Sequence, residues 1–519
     1  MDNEKAIGSM LGIPPGLIKA ELEGLYGSNV LQDMRDIISL YDIYENGAEF
    51  PKDVNKDFTQ ADLRFKLAKS IINKMARFMF SKPPDIYVDT PMDVPKAQKE
   101  ANTKAASVYQ TLVDRVLQRN KFPQQLLKAC KDCLVGKRVA LLFNVNEEKG
   151  MQLTFHPSLE FVYDVDEDDP HKIGKIVVFY NLNEAKAKKD QRIYKKKFWM
   201  ENGFAHYAEA IYDGQGQVVE VVAEDTITKF TYVPAWVITN EGLTGDLMGE
   251  SEIDDLESLE KWYSRLSSAD MDAERQGMNE IKYTIDAAPA SVEDLSIAPG
   301  AFWDLASDPN QPMDKAAQVG VLQSSMGYTT ALGNTLNRLK NGLYEQAAVP
   351  NVSPEALQGV VTSGKTLKAI YWDLIVRCDE KMLAWSDALI GLAKCIIEGA
   401  KLYPKSIAQY EVETLPEVEY DIRVENQYSL PEDEAEEKTI DLAEVTAQTM
   451  SRKRYMKKWH RLTDDEAEEE LKQIALEREL LEDSFAAEPP PGEEVPPEEN
   501  PPAEKTEKSE EQPEEEPEE

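Results

Sequence analysis

One segment of this 519-residue chain carries the letters of a phosphate-binding loop: Gly359 to Thr366 reads GVVTSGKT, which fits G-x-x-x-x-G-K-[ST]. In such a loop the backbone amides cradle phosphates, Lys365 would reach the terminal phosphates and Thr366 would hold magnesium. That geometry needs a buried strand ahead of the first glycine. The residues there, NVSPEALQ, contain Pro354 and no β-branched run, and no apolar strand ending in an aspartate is found to complete a nucleotide site. By its own spacing the segment is a loop entering a helix, with Ser363 as N-cap and Gly364 in the first turn. ATP hydrolysis at Lys365 stays open as an alternative.

The other reactive residue types are sparser. Cys130-Lys-Asp-Cys133 falls on a helical pattern without a second Cys or His pair at zinc spacing, which makes it a pair of buried thiols. Asp164, Asp166, Glu167, Asp168 and Asp169 offer carboxylates to calcium, but they lie between two strands and lack the glycine of an EF-hand loop, so a solvated turn is expected. His156, His171, His206 and His460 are scattered and pair with no nucleophile. Asn351-Val-Ser353 matches a glycosylation sequon, read as chance because MDNEKAIGSM has no apolar leader. No catalytic residue, metal or cofactor is expected.

Hydrophobic periodicity defines the elements that would position these groups. Leu31 to Tyr44 is helical. A T-x-x-D box at Thr59 and Asp62 opens a helix with Leu63, Leu67, Ile71, Met75 and Met79 on one face, stopped by Pro83-Pro84. Ile86 to Val88 is extended, and helices follow over Ala101 to Arg119 and Pro123 to Leu134, closing at Gly136. The period then falls to two between Arg138 and Phe230. Strands are expected at Val139 to Val145, Gln152 to His156, Lys175 to Tyr180, Ile193 to Met200 and Val218 to Val222, with turns at Asn202-Gly203 and Asp213-Gly214. Ser251 and Asp254 form a second capping box, opening a long helix through Leu256, Leu259, Tyr263 and Leu266. A small α/β insert comes next, with alternation at Ile281, Tyr283 and Ile285, a helical turn at Ser291 to Leu295 and a strand at Phe302 to Leu305. Tyr328, Leu332, Leu336, Leu339 and Leu343 make another helix, ending before Pro350. From Ser363 an apolar face through Leu367, Tyr371, Leu374, Cys378, Met382, Trp385, Leu389 and Ile396 predicts one helix to Lys401, about 55 Å long. Strands around Val412 to Val424 and helices over Glu432 to Met450 and Asp464 to Glu482 complete an α+β fold.

Composition sets the outer limits. An apolar content of 42% can bury real cores, and the net charge is −38. Part of that charge sits between Glu488 and Glu519, where Glu and Pro alternate as in a disordered tail, but the body is acidic without it. An acidic body opposes tight phosphate binding, so DNA that meets it should slide. Four cysteines in so long a chain fit a reducing compartment. The longest apolar run, Ala388 to Ile397, is too short for a membrane span and carries Lys394.

Four segments, in order, resemble the portal proteins of long-tailed phages that infect Gram-positive bacteria. AKSIINKMARFMFSKPPDI (Ala68 to Ile86) is similar to that family's early helix and its Lys-Pro turn. Leu126 to Asp169 is similar to its helix, glycine and strand passage into a β-rich wing. VPNVSPEALQGVVTSGKTLKAIYWDL (Val349 to Leu374) is similar to the loop and long helix that face the channel, and Met450 to Glu479 to the crown, with its Ser-initiated helix.

The resemblance implies a portal fold: a wing over 1–249, stem helices at 250–275 and 326–348 around a clip at 276–325, and a tunnel loop at 349–362. A spine helix with wing strands (363–430), a crown (431–483) and the tail (484–519) would follow. It implies a dodecameric ring at the capsid vertex of the virion, assembled in the host bacterial cytoplasm and passing double-stranded DNA without sequence specificity. The partners implied are the terminase large subunit, head-tail adaptors, and major capsid and scaffolding proteins. Val349, Pro350, Asn351, Val352, Ser353, Glu355, Gln358 and Thr362 are the loop residues expected to touch DNA. Arg338 and Lys340 are the expected channel cations, and Phe302, Trp303 and Asp304 the expected clip contacts. A non-portal structural head component is the other alternative.

Overall fold

The computed structural model describes residues 13, 14, 17, 21, 28–52, 59–91, 96–183, 185–243, 245–278, 281–288, 305–310, 316–322, 327–352, 368–412, 414–428, 434–460, 462 and 464–485. The GVVTSGKT segment, the expected turn at Ser291 to Leu295, Phe302 to Asp304 and the Glu/Pro stretch from Glu488 lie outside them. The chain divides into two units, Met1–Pro431 and Glu432–Glu519.

In the first unit, α1 (Ser28–Asn46) and α2 (Leu67–Phe80) precede β1 (Asp85–Asp89), and the double proline ends α2 as expected. Helices α3 (Lys96–Arg119) and α4 (Phe122–Gly136) follow. Strand β2 (Arg138–Asn146) lies between β3 (Gly150–Pro157) and β9 (Ala235–Thr239), and its first six residues are all buried. Coverage on both faces is why that strand reads as a continuous apolar run rather than an alternation. A five-stranded meander joins β4 (Phe161–Val165), β5 (Ile173–Asn181), β6 (Ile193–Glu201), β7 (Phe204–Tyr212) and β8 (Val218–Ile227) in chain order. Its β6–β7 link is the Asn202-Gly203 turn, both residues at positive φ (53° and 81°), the two-residue form that matches strand twist.

Helix α5 (Glu252–Met278) leads to the antiparallel pair β10 (Ile281–Ile285) and β11 (Gln318–Leu322), and the chain returns through α6 (Thr329–Gln346), which packs along α5. Helix α7 (Trp372–Leu402), about 46 Å long, runs through the core. It buries Leu374, Cys378, Met382, Trp385, Leu389 and Ile396, with Trp385 against Phe80 at 5.0 Å between ring centroids. Gly391 lets α7 lie directly on β9, since a Cβ there would come within 2.3 Å of the Trp236 indole nitrogen. Finally β12 (Asp421–Glu425) pairs with β1. The second unit holds α8 (Glu434–Thr446), α9 (Arg452–His460) and α10 (Asp464–Phe485), with Ser451 accepting the Arg454 amide at the start of α9.

Three expectations change. The long helix is interrupted at Tyr371, and α7 proper begins at Trp372. Of the strands expected around Val412 to Val424, strand is found from Asp421 onward, with a 3-10 helix at Pro404–Tyr410 ahead of it. And α2 starts at Leu67, eight residues after Thr59. The amides that would have begun it earlier are taken by α5: Ala61 donates to Asp272 (3.0 Å), Leu63 to Ser268 (3.0 Å) and Phe65 to Ser264 (3.1 Å). Ala68, in the first turn of α2, donates to Glu260 (3.0 Å). Two residues of extended chain advance about 6.7 Å and one step of four in a helix about 6.0 Å, so every second amide meets every fourth side chain. Asp62 pairs instead with Lys52 (2.6 Å) and Arg64 (3.1 Å).

Candidate functional site

The reactive residues singled out in the sequence have structural surroundings. Cys130 and Cys133 are buried free thiols on α4, and burial pushes Cys133 up to about 12, far from a reactive thiolate. In the acidic turn, Asp166 accepts the amides of Asp168 (3.0 Å) and Asp169 (3.2 Å), and Asp169 pairs with Lys172 (2.9 Å). No group of His, Cys, Asp or Glu among the described residues could hold a metal ion. No helix among them is long and apolar enough to cross a membrane.

A buried charge network stands where α5, α6 and α7 meet. Ser251 caps α5 as its spacing predicts, taking the Ile253 amide (3.1 Å) while its own amide reaches Asp254 (3.4 Å). The next residue, Glu252, is buried in the first turn, where a negative charge suits the helix dipole. Two cations one turn apart on α7 meet it, Lys381 at 2.5 Å and Arg377 at 3.0 Å. Lys381 also bonds Asn240 (2.9 Å) and Glu241 (2.5 Å), and Arg377 also pairs with Glu241 (3.1 Å). Arg377 further donates to the carbonyl of Gln346 (2.9 Å), the last residue of α6. One pair of cations thus ties the start of α5, the end of α6 and the loop after β9 to a single turn of α7. Burial by itself would lower the Lys381 pKa, but the carboxylates of Glu252 and Glu241 outweigh it and hold it above the ordinary lysine value. The same two cations keep Glu241 below the usual carboxylate range, against the effect of burial.

The expected loop leaves from this junction. Helix α6 ends in a Schellman motif: the Val349 amide bonds the Tyr344 carbonyl (2.9 Å), the Ala348 amide that of Glu345 (3.0 Å), and Ala348 sits at φ 52° where glycine is usual. Val349 and Tyr344 are both buried, so Val349 is the anchor of the loop. Pro350 and Val352 are half-buried, Asn351 is exposed and its amide bonds Asn341 (3.0 Å). Ser353, Glu355, Gln358 and Thr362 lie outside the described residues, as do Phe302, Trp303 and Asp304. Arg338 is exposed on α6, reaching Thr335 (3.2 Å), whereas Lys340 is half-buried and turned about 200° around the helix. The two cations do not share a face.

Sequence reasoning missed Arg377, Lys381, Glu241, Glu252 and Glu260. The available signal was a lysine inside an apolar stripe, with Cys378 three residues before it and Met382 next to it.

Two long helices, α5 and α6, are thus rooted by a buried ionic knot and carry a small β pair between them. A family model described as "Phage portal protein, SPP1 Gp6-like" matches residues 27–481, and the chain belongs to that family. It is a subunit of a phage portal vertex. No curated protein matches the chain. Among solved structures, a chain from "Neck of empty GTA particle computed with C6 symmetry" is 11% identical with a TM-score of 0.41, covering 81% of this chain and 92% of that one. A chain from "Neck of native GTA particle computed with C12 symmetry" is 10% identical with a TM-score of 0.39 over the same shares. Likenesses that remote carry no weight for function.

Proposed function

We propose that the subunit closes into a ring, a dodecamer, whose central channel passes double-stranded DNA during packaging and ejection. Membership of the portal family across residues 27–481 carries this reading. A ring requires head-to-tail interfaces that return on themselves. Helices α5 and α6 are the stem, with β10, β11 and the rest of 276–325 as the clip where the terminase large subunit and head-tail adaptors dock. The loop over 349–362 is the constriction, beginning at the buried Val349, and Arg338 is the stem cation turned toward DNA. The region around α7 is the wing and spine, and 431–483 the crown, with capsid and scaffolding proteins as outer neighbours. Assembly takes place in the host bacterial cytoplasm. The acidic body keeps the phosphate backbone from adhering, and the energy for movement comes from a separate ATPase, so the subunit needs no cofactor and performs no catalysis.

Electron microscopy of the purified protein tests this: particles with a central hole are expected. Solid or open assemblies at every salt and protein concentration would overturn it. Calorimetry with ATP, expected to be silent for the wild type and for Lys365→Ala alike, separates the ring from a nucleotide hydrolase.

A further inference from the structure

Helix α5 meets its own chain on two sides. Glu260, Ser264, Ser268 and Asp272 look onto the segment from Ala61 to Ala68. On another side Leu259 lies over Gly342 of α6, where a Cβ would stand 3.6 Å from it, and Asp270 bonds Tyr328. At about 100° per residue these two faces are about 150° apart, which leaves an open flank on either side of the helix. The wider flank carries Trp262, 51% exposed, with the Arg265 guanidinium stacked on its indole at 5.2 Å. The narrower flank carries Met271, 40% exposed, and the exposed Glu274. Arg265 and Glu274 make no ion pair among the described residues. Trp, Met and Arg on an open helix side are the residue types that protein interfaces collect.

The two flanks complement each other. Each offers an apolar residue and, three positions later, a charge: Trp262 with Arg265 on one, Met271 with Glu274 on the other. Corresponding members are nine positions apart, or about two and a half turns, so they project from opposite sides of the same helix. One chain cannot bring them together. A two-fold contact would use the same patch on both copies and leave the carboxylate unmatched, whereas a head-to-tail contact matches both pairs at once. We propose that α5 of one copy lays Trp262 and Arg265 against Met271 and Glu274 on α5 of the next. This inference rests on the ring reading above and adds the surface by which neighbouring copies meet. Thioether against indole and guanidinium against carboxylate are both attractive pairings, and the stacked guanidinium already holds Trp262 in place. The nine-residue stagger is about 13.5 Å along the helix, so α5 is inclined to the ring axis rather than parallel to it. DNA does not suit this surface, because Glu274 would face phosphate.

Cysteine cross-linking of the full chain with a short bismaleimide tests the contact, since the four native cysteines are buried. Ser258, exposed beside Trp262, and Ser267, half-buried on the opposite flank, share the nine-residue register and leave the four contact residues in place. Ser258→Cys and Ser267→Cys in one chain should link into a ladder of oligomers on a denaturing gel. Mixing the two single variants should give linked dimers only, and either variant alone should give none. Sedimentation velocity at one fixed salt concentration supplies the second arm. Arg265→Glu and Glu274→Arg should each lower the ring fraction about tenfold, and the two together should restore it, a rescue that a folding defect would not show. Rings visible by electron microscopy without links, single variants that link to themselves, or reversals that do not rescue each other would overturn the contact and leave the ring reading standing. Wild-type protein that forms no ring under any condition would overturn both.

Discussion

Lys381 occupies the middle of an apolar helix face, and its side chain is only 3% exposed. Two carboxylates make that position tolerable. Removing the cation leaves the buried Glu252 with Arg377 as its remaining cation and a longer bond from Asn240 (3.3 Å), so Lys381→Met is expected to cost about 3–5 kcal/mol in urea unfolding. Adding Glu252→Gln should recover part of that loss, because the uncompensated charge goes with it; a double variant no better than the single would argue against the network. Glu260 is the second residue to watch. Burial raises its pKa from 4.5 to about 7, against the amides of Ala68, Leu67 and Ala48 that favour its ionised form. The folded state therefore keeps a proton that the unfolded chain has already released. That contribution to stability is full below pH 4.5 and is lost as pH rises through about 7. Comparing wild type with Glu260→Gln at pH 5 and pH 8 should show the difference in unfolding free energy shift by about 3 kcal/mol; a constant difference would refute the assignment. Neither residue was legible beforehand, since a lone Lys or Glu in a helical pattern does not show what faces it from elements more than a hundred positions away.

At the scale of elements, two capping boxes make an instructive pair. Ser251 and Asp254 form theirs, and Thr59 and Asp62, at the same spacing, do not. The difference lies in competition: the amides of Ala61, Leu63 and Phe65 are claimed by side chains of α5 some two hundred residues later. Local spacing reports what a segment can do alone, which is why α1, α3, α4, α6 and most strands were readable and the start of α2 was not. Strand β11 was missed for a related reason, since it pairs with β10 across a long insert rather than through a short turn. Replacing Ser264 or Ser268 by alanine should cost about 1 kcal/mol each and speed hydrogen exchange at the Phe65 and Leu63 amides respectively. Exchange unchanged at both would mean that α5 does not hold that segment in solution.

For the whole molecule, charge is the governing quantity. A subunit at −38 that gathers copies of itself must overcome long-range repulsion, which salt screens. The ring fraction measured by sedimentation velocity should therefore rise as NaCl is raised from about 20 to 300 mM, where the Debye length falls below 10 Å. A ring that instead dissociates over that range would show its interfaces to be held by ion pairs. The portal class was legible in four ordered segments, and the family match spans them all. The ion-paired root of α5 and α6 was not legible, because it is built from residues that each look ordinary in place. The row of acceptors on α5 has one more consequence. Because its side chains recur every fourth residue, the segment held against them has no intermediate resting place: a shift of one residue would leave its amides facing gaps. A displacement of α5 past that segment would therefore come in steps of about 6 Å, each handing Ala61 from Asp272 to Ser268 and Leu63 from Ser268 to Ser264. Were α5 pulled along its axis, this row would act as a detent does, holding until one full turn gave.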